Sequence, residues 1–276
     1  AAKGAPEAIL AVSNLSEGEK EKMRQHISDF GKQGYRVLGV ARSNFEGKDF
    51  PEKQQDFNFE FLGFTVFYDP PKKNIQEVFQ KIYDAGIKVK VITGDNADTT
   101  NAIARQAGII NETPAVNGAE IIHHTETELI ELSKKTTLFT RMFPEAKLAM
   151  VNAFKKDGEV VAMLGDGVND APALKAAHIG VAMGSKGTEI AKAAASLVIT
   201  NDDLDKLITG IAAGRRIYAN IKKAIQYIIS IHIPIILIVS LPLFLGWIYP
   251  HIFTPVHVIF LELIMGPTCS IVYENE

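Results

Sequence analysis

The sequence predicts an α/β fold, a parallel sheet with helices on both faces, joined to two membrane helices. Three observations carry this reading. Short apolar runs alternate with helical segments from Phe59 to Thr200, the pattern of a parallel sheet covered by helices. Two of those runs end in acidic glycine turns, Val89–Ile92 into Thr93-Gly94-Asp95 and Val160–Leu164 into the GDGVND stretch at Gly165–Asp170. From Ala224 to Leu261 there is no Asp, Glu, Lys or Arg, and a membrane helix needs about 20 mainly apolar residues.

Taken in order, residues 1–57 read as the tail of another domain. Ser16 and Glu19 have capping-box spacing, which starts a helix. That helix runs to Gln33, where Gly34 ends it, and Tyr35–Ala41 reads as a strand. The charged segment Phe45–Phe57, with Gly47 and Pro51, is the expected linker. Residues 58–203 hold the alternation. It begins with a strand at Phe59–Tyr68 and a helix from Asp69-Pro70-Pro71 to Ala85, proline being tolerated in a first turn. Strand 87–92, helix 98–107, strand 137–140 and helix 144–156 follow, then strand 159–164, helix 170–177, strand 179–182 and a last strand at Leu197–Thr200. A stalk helix over 204–227 continues into a membrane helix over 228–248 that carries Pro234 and Pro242. Proline inside a membrane helix frees a carbonyl and bends the axis. A second membrane segment is expected over 253–273, interrupted by Glu262 and Pro267. Arg215, Arg216, Lys222 and Lys223 precede the first span and put that end in the cytoplasm.

The 276 residues include 29 basic and 32 acidic side chains, a net charge of -3, so no nucleic-acid partner is expected. A single cysteine, Cys269, excludes an internal disulfide framework and a multi-cysteine zinc site. A charged helix follows Ala1–Glu7 where a secretory signal would have an apolar segment. The chain opens on Ala1 rather than Met, and a missing N-terminal part is expected.

The chemistry-bearing residues gather at the carboxyl ends of predicted strands, where open α/β sheets build their sites. Thr93 and Gly94 offer a hydroxyl and backbone N–H groups before a helix, an anion pocket; Asp95 or Asn96 is the cap of that helix. Lys147, one turn into the helix after strand 137–140, can neutralise a phosphoryl oxygen. Asp166 and Asp170 are hard oxygen ligands suited to magnesium, which takes one or two carboxylates with phosphate and water. Asn169 opens the helix beside them.

These motifs, in this order and before an apolar tail, resemble the P-type cation-transporting ATPases of the calcium-pump-like type II group. Lys3-Gly4-Ala5-Pro6-Glu7 is similar to the family's KGAPE element, Asp69-Pro70-Pro71-Lys72 to its DPPR hinge with lysine replacing arginine, and Thr93-Gly94-Asp95 with GDGVND to its phosphorylation domain. Ile217–Lys223 resembles the entry to its fifth membrane helix. The resemblance implies a haloacid-dehalogenase-like, Rossmann-type phosphorylation domain following the end of a nucleotide-binding domain, with ATP and Mg2+ as cofactors. It further implies that Thr93 and Gly94 hold the phosphoryl group and Lys147 neutralises it, that Asp95 belongs to the same catalytic set, that Asp166 ligates magnesium, and that Asn169 and Asp170 complete the site. Lys3 would face the adenine pocket, Arg36 the ATP phosphates and Arg141 the nucleotide near the domain junction. The partners implied are a transported cation, the lipid bilayer and a missing N-terminal part of the same pump.

The family's DKTGT and TGES motifs are absent, so the resemblance implies a C-terminal fragment that is inactive alone. In the membrane segments Glu262 falls where the calcium pumps keep a cation ligand, with His232 and Pro234 in the corresponding stretch of the first span. Ile235 and Gly266 stand where those pumps have acidic ligands, which argues against calcium; Glu274 and Glu276 read as interfacial. The alternative class is a soluble haloacid-dehalogenase-type phosphatase, which shares the threonine, lysine and acidic motifs. The KGAPE element and the charge-free tail favour the pump. A naturally truncated membrane subunit is a third possibility.

Overall fold

The computed structural model describes residues 1–45, 50–248 and 254–274. Part of the predicted linker, Phe253 at the start of the second membrane segment, and Glu276 lie outside them. The chain divides into two units, Ala1–Asp205 and Lys206–Glu276.

The first unit opens with β1 (Ala2–Gly4), α1 (Pro6–Val12), α2 (Glu17–Lys32) and β2 (Arg36–Arg42). The predicted capping box starts α2: Glu19 N–H donates to Ser16 Oγ at 3.4 Å, and Ser16 N–H to Glu19 Oε2 at 2.9 Å. β3 (Glu60–Phe67) pairs antiparallel with β2, giving a sheet of order β1-β2-β3. The strand expected at Phe59–Tyr68 therefore closes this sheet and does not open the parallel series. The reason lies in its side chains. Phe61 and Phe64 join Leu10, Ile27 and Val37 in one apolar cluster under α1 and α2, so burial recruits the strand to β2.

The alternation then proceeds. α3 (Ile75–Asp84) starts later than predicted from Asp69-Pro70-Pro71. Each proline disfavours the helical region for the residue before it, and helical bonding begins only at the turn where Ile75 N–H meets the Lys72 carbonyl, 3.0 Å. β4 (Val91–Ile92), α4 (Ala97–Gln106), β5 (Val116–Asn117), α5 (Gly118–Ile121), α6 (Glu126–Lys135), β6 (Leu138–Thr140) and α7 (Pro144–Lys156) follow. Next come β7 (Ala162–Gly165), α8 (Ala171–Ala176), β8 (Ile179–Met183), α9 (Glu189–Ala194) and β9 (Leu197–Ile199). All pairs among β4–β9 are parallel, as the alternation predicts, but they form two sheets, β4-β6-β5 and β7-β8-β9.

Helix α7 joins the two parallel sheets. Its Ala146, Met150 and Phe154 pack with Phe139 of β6, while its Val151 packs with Met163 of β7 and Ala182 of β8. Lys88 Nζ meets Glu159 at 2.8 Å just before β4 and β7, and Lys147 Nζ meets Asp170 at 2.6 Å just beyond β6 and β7. The sheets thus lie side by side with their carboxyl ends on one side. β4 and β7 each have a single strand partner among the described residues.

The second unit contains α10, which runs unbroken from Asp205 to Phe244, and α11 (Pro255–Glu274). Forty residues at 1.5 Å each make α10 about 60 Å long. Most of its large apolar side chains are exposed, Ile233, Ile236 and Leu241 among them. It is the one helix among the described residues long and apolar enough to cross a membrane. The second expected span forms the helix α11, whose apolar stretch among the described residues is Pro255–Thr268.

Candidate functional site

Three turns at the carboxyl ends of β4, β6 and β7 build the site. After β4, Thr93 is tied to β6 by its N–H to the Phe139 carbonyl, 2.9 Å, and by Met142 N–H to its own carbonyl, 2.9 Å. Its hydroxyl accepts from Asp95 N–H at 3.1 Å and donates to Asp95 Oδ2 at 3.2 Å. Gly94, at the tip, is exposed. Asn96 rather than Asp95 caps α4, accepting Thr99 N–H at 2.9 Å. The Asp95 carboxylate is left to face Arg36 of β2, 3.7 Å away.

After β6, Arg141 holds a left-handed backbone, φ 50°, a conformation that a non-glycine residue adopts under constraint. Two contacts impose it. Arg141 N–H donates to the Asp95 carbonyl at 2.8 Å, and the Arg141 carbonyl lies where a Cβ on Gly118 would stand only 2.6 Å from it, so glycine is needed there. The guanidinium consequently reaches back to Glu7 of α1 at 2.6 Å. Ser28 donates to Asp98 at 2.9 Å beside this pair. Between them lies a cavity of about 340 Å³ bordered by Glu7, Arg24, Ser28, Asn96, Asp98 and Arg141.

After β7, the GDGVND turn folds back on itself. Asp170 is buried, 7% exposed, and both of its oxygens are engaged: Oδ1 with Lys147 and Oδ2 with Gly167 N–H at 3.2 Å. A side chain at Gly165 would come within 2.6 Å of the Asp170 Cβ, so glycine is required at the strand end. Pro144 starts α7 in its first turn, and burial of Ala146 against Phe139 directs the neighbouring Lys147 to Asp170. Asp166 and Asn169 are exposed on the same turn. No partner of the Asp166 carboxylate occurs among the described residues, and its carbonyl accepts Thr188 N–H at 2.9 Å.

The geometry therefore gathers Thr93, Asp95, Arg36 and Arg141 around one turn and Lys147, Asp170, Asp166 and Asn169 around another. Lys3 is exposed on β1, opposite Val40, and no described hydrogen bond or ion pair joins it to either turn. For magnesium, Asp166 supplies an open carboxylate, whereas Asp170 is committed to Lys147 and Gly167. No group of three or more His, Cys, Asp or Glu gathers among the described residues. The donor set thus fits a cation that keeps water and phosphate oxygens as its other ligands. Two partners escaped sequence reading. Glu7 and Ser28 lie 134 and 70 positions from the residues they bind, and spacing carries no signal across such distances. In the second unit, His232 Nε2 and Glu262 Oε1 lie 2.9 Å apart, joining α10 to α11.

A parallel α/β core with a threonine turn, a lysine–aspartate pair and an acidic glycine turn at its carboxyl edge is the arrangement of a phosphate-handling hydrolase. Residues 6–178 match the haloacid dehalogenase-like hydrolase family, and the chain belongs to it. The chain is also similar to pumps. It is 35% identical over 251 residues, 91% of its length, to "Calcium-transporting ATPase 1" of Bacillus cereus. It is 34% identical over 92% of its length to "Calcium-transporting ATPase type 2C member 1" of Homo sapiens. To "Sodium/potassium-transporting ATPase subunit alpha-1" of Oreochromis mossambicus it is 34% identical over 99% of its length. The chain spans only 28%, 26% and 31% of those relatives. The resemblance to the P-type cation-transporting ATPases thus extends across nearly the whole chain, and with α10 it makes this a membrane protein.

Proposed function

We propose that these residues are the C-terminal part of the catalytic region, and the first part of the following membrane region, of an ATP-driven cation pump that works through an aspartyl phosphate. The observation that carries the reading is the continuity of the phosphate-handling core with a membrane-length helix: β9 ends at Ile199, and α10 starts at Asp205. A soluble phosphatase needs no such helix.

Residues 1–57, with β3 added by its pairing, are read as the end of the nucleotide-binding domain, and the rest of 58–203 as the phosphorylation domain. The stalk and membrane segments follow at 204–227, 228–248 and 253–273. The aspartate nucleophile is read as lying on a strand outside these 276 residues. The edges of β4 and β7 that carry no strand among the described residues support this, because both have the parallel direction such a strand requires.

In this reading the Thr93 hydroxyl and the N–H groups of the Gly94 turn hold the phosphoryl oxygens. Lys147 neutralises charge developing on them, kept in place by Asp170. Such fixed donors act most strongly where water is excluded, and Lys147 is only 13% exposed. Arg36 and Arg141 are proposed to bind the nucleotide phosphates, exchanging Asp95 and Glu7 for them, and the neighbouring cavity is of the size that small ligands use. Lys3 is proposed for the adenine end. Asp166 would hold magnesium with Asn169 nearby; when bound, that ion supplies positive charge to the phosphoryl group.

The test is phosphoenzyme formation from radiolabelled ATP by the polypeptide that contains these residues with its aspartate strand. Asp166→Asn is expected to abolish the acid-stable, hydroxylamine-labile phosphoprotein. Undiminished labelling in that variant removes Asp166 from the magnesium site, and failure of the parent to label at all rejects the pump.

A further inference from the structure

We infer that Asp202 is a positioning residue for Asp166: its carboxylate holds the turn 184–188, and that turn holds the backbone from which the Asp166 carboxylate projects. The inference rests on the reading of Asp166 as the magnesium ligand and deepens it by naming what fixes that ligand in place.

Asp166 stands one residue past the end of β7, whose last ladder pair is Gly165 with Ala182. Its side chain is exposed, and its carbonyl is held by Thr188 N–H at 2.9 Å. Magnesium demands near-ideal octahedral geometry, and a ligand works only when its support fixes it to within about 0.5 Å. The placement of Thr188 therefore decides the placement of Asp166. Thr188 caps α9, its hydroxyl accepting Ala191 N–H at 3.2 Å, and it closes a turn with neither helical nor strand bonding of its own.

Backbone N–H groups in such a turn need partners from elsewhere. Gly184 N–H donates to the Ile199 carbonyl at 2.8 Å. Ser185 N–H donates to Asp202 Oδ1 at 3.0 Å, and Lys186 N–H to Asp202 Oδ2 at 2.9 Å. One carboxylate thus clamps two consecutive amides, and hydrogen bonds to an ionised acceptor are roughly twice as strong as neutral ones. The turn has little slack with which to absorb their loss. A Cβ on Gly184 would stand 2.6 Å from the Thr200 Cα, and one on Gly187 2.0 Å from the Met183 carbonyl oxygen.

Asp202 is itself fixed from several sides. It is 6% exposed and has a left-handed backbone, φ 55°, which aspartate tolerates better than most residues and which persists where the surroundings impose it. Its N–H donates to the Ile199 carbonyl at 3.2 Å, and its own carbonyl accepts from the Lys72 ammonium. Lys72 ends the Asp69-Pro70-Pro71-Lys72 segment, and its carbonyl takes the Ile75 N–H that opens α3. The contacts therefore run from the connection between β3 and α3, through Asp202 and the turn, to Asp166.

The experiment follows Mn2+, the probe for the magnesium site, by electron paramagnetic resonance as it binds the polypeptide that contains these residues with its aspartate strand, in the absence of nucleotide. Asparagine accepts a left-handed backbone but offers one acceptor oxygen in place of two, so Asp202→Asn removes half of the clamp without straining the chain. It is expected to weaken Mn2+ binding about tenfold, the lower end of the range for groups that support a metal ligand. Hydrogen exchange at the Thr188 amide, measured without metal, should quicken in the same variant. Lys72→Met is expected to weaken Mn2+ binding by a smaller factor, and Lys72→Arg to restore it. Thr125→Ala, which removes the cap of α6, separates positioning from general stability and should leave the Mn2+ affinity unchanged. Wild-type affinity and wild-type Thr188 exchange in Asp202→Asn, or equal weakening by Thr125→Ala, overturns the inference. Asp166→Asn distinguishes the two readings. Loss of Mn2+ binding there, with wild-type binding in Asp202→Asn, overturns the inference alone; wild-type binding in Asp166→Asn rejects Asp166 as the ligand and the inference with it.

Discussion

A lysine and an aspartate that have each lost most of their water depend on one another. Lys147 and Asp170 are 13% and 10% exposed at the side chain and meet at 2.6 Å, and removing one partner of such a pair strands the other charge, at about 3–5 kcal/mol. Asp170→Ala is thus expected to lower the stability of the detergent-solubilised chain by about 3 kcal/mol. The Lys147→Met/Asp170→Ala double variant should recover much of that loss in denaturant unfolding. Strictly additive effects of the two changes would show the charges to be independent. Asp202 offers a second residue-scale test. Burial alone would raise its pKa, but hydrogen bonds from the backbone N–H groups of Ser185, Lys186 and Gly184, aided by nearby Lys72, outweigh burial and hold the carboxyl below its ordinary range. A carboxylate with a depressed folded-state pKa stabilises the fold fully above its unfolded pKa, and the stabilisation fades as pH falls through the folded pKa. The unfolding temperature of wild type should therefore drop towards that of Asp202→Asn as the pH is lowered below the ordinary carboxylate range. A constant gap between them would place the effect elsewhere. Motifs made the turn residues legible in the sequence, since Thr93, Lys147 and Asp170 each stand in a pattern. The ion pairs of Arg36 and Arg141 were not legible, because Asp95 and Glu7 meet them only after distant elements fold together.

At the scale of elements, local chemistry predicted the helices whose starts are written in a few residues. Ser16 with Glu19 was read correctly; Thr125 with Glu128 carries the same box at the start of α6 and went unread. Thr125→Ala should destabilise the first unit by about 1 kcal/mol, the usual worth of such a cap, in a thermal unfolding series. An unchanged transition would mean that packing of Leu129 and Leu132 fixes α6 without its cap. Tertiary burial decided what local pattern could not. β3 had the look of a first parallel strand, yet Phe61 and Phe64 belong to the cluster beneath α2. The proline pair before α3 gave the helix its place but not its first residue, because proline permits a first turn while restricting the residue that precedes it. β4 was read over 87–92 and forms only at Val91–Ile92, whereas the two residues of β5 are too few for any periodicity to reveal.

At the scale of the whole molecule, a phosphate-handling core belonging to a hydrolase family is followed in the chain by a helix long and apolar enough for a bilayer. Both were visible in the sequence, the first as ordered motifs and the second as a run without charge. The division of the parallel strands into two sheets was not visible, since alternation specifies direction and not which strands become neighbours. That division gives the proposed function a structural requirement: the chain alone should form no phosphoprotein, and a strand carrying the nucleophile should restore it by joining β4 and β7. The decisive measurement is ATP hydrolysis in sealed vesicles containing the polypeptide with that strand, screened across divalent and monovalent cations. Vanadate-sensitive hydrolysis that one cation stimulates and that Asp166→Asn removes is the expected result; hydrolysis of small phosphate esters with no cation stimulation would reject the pump.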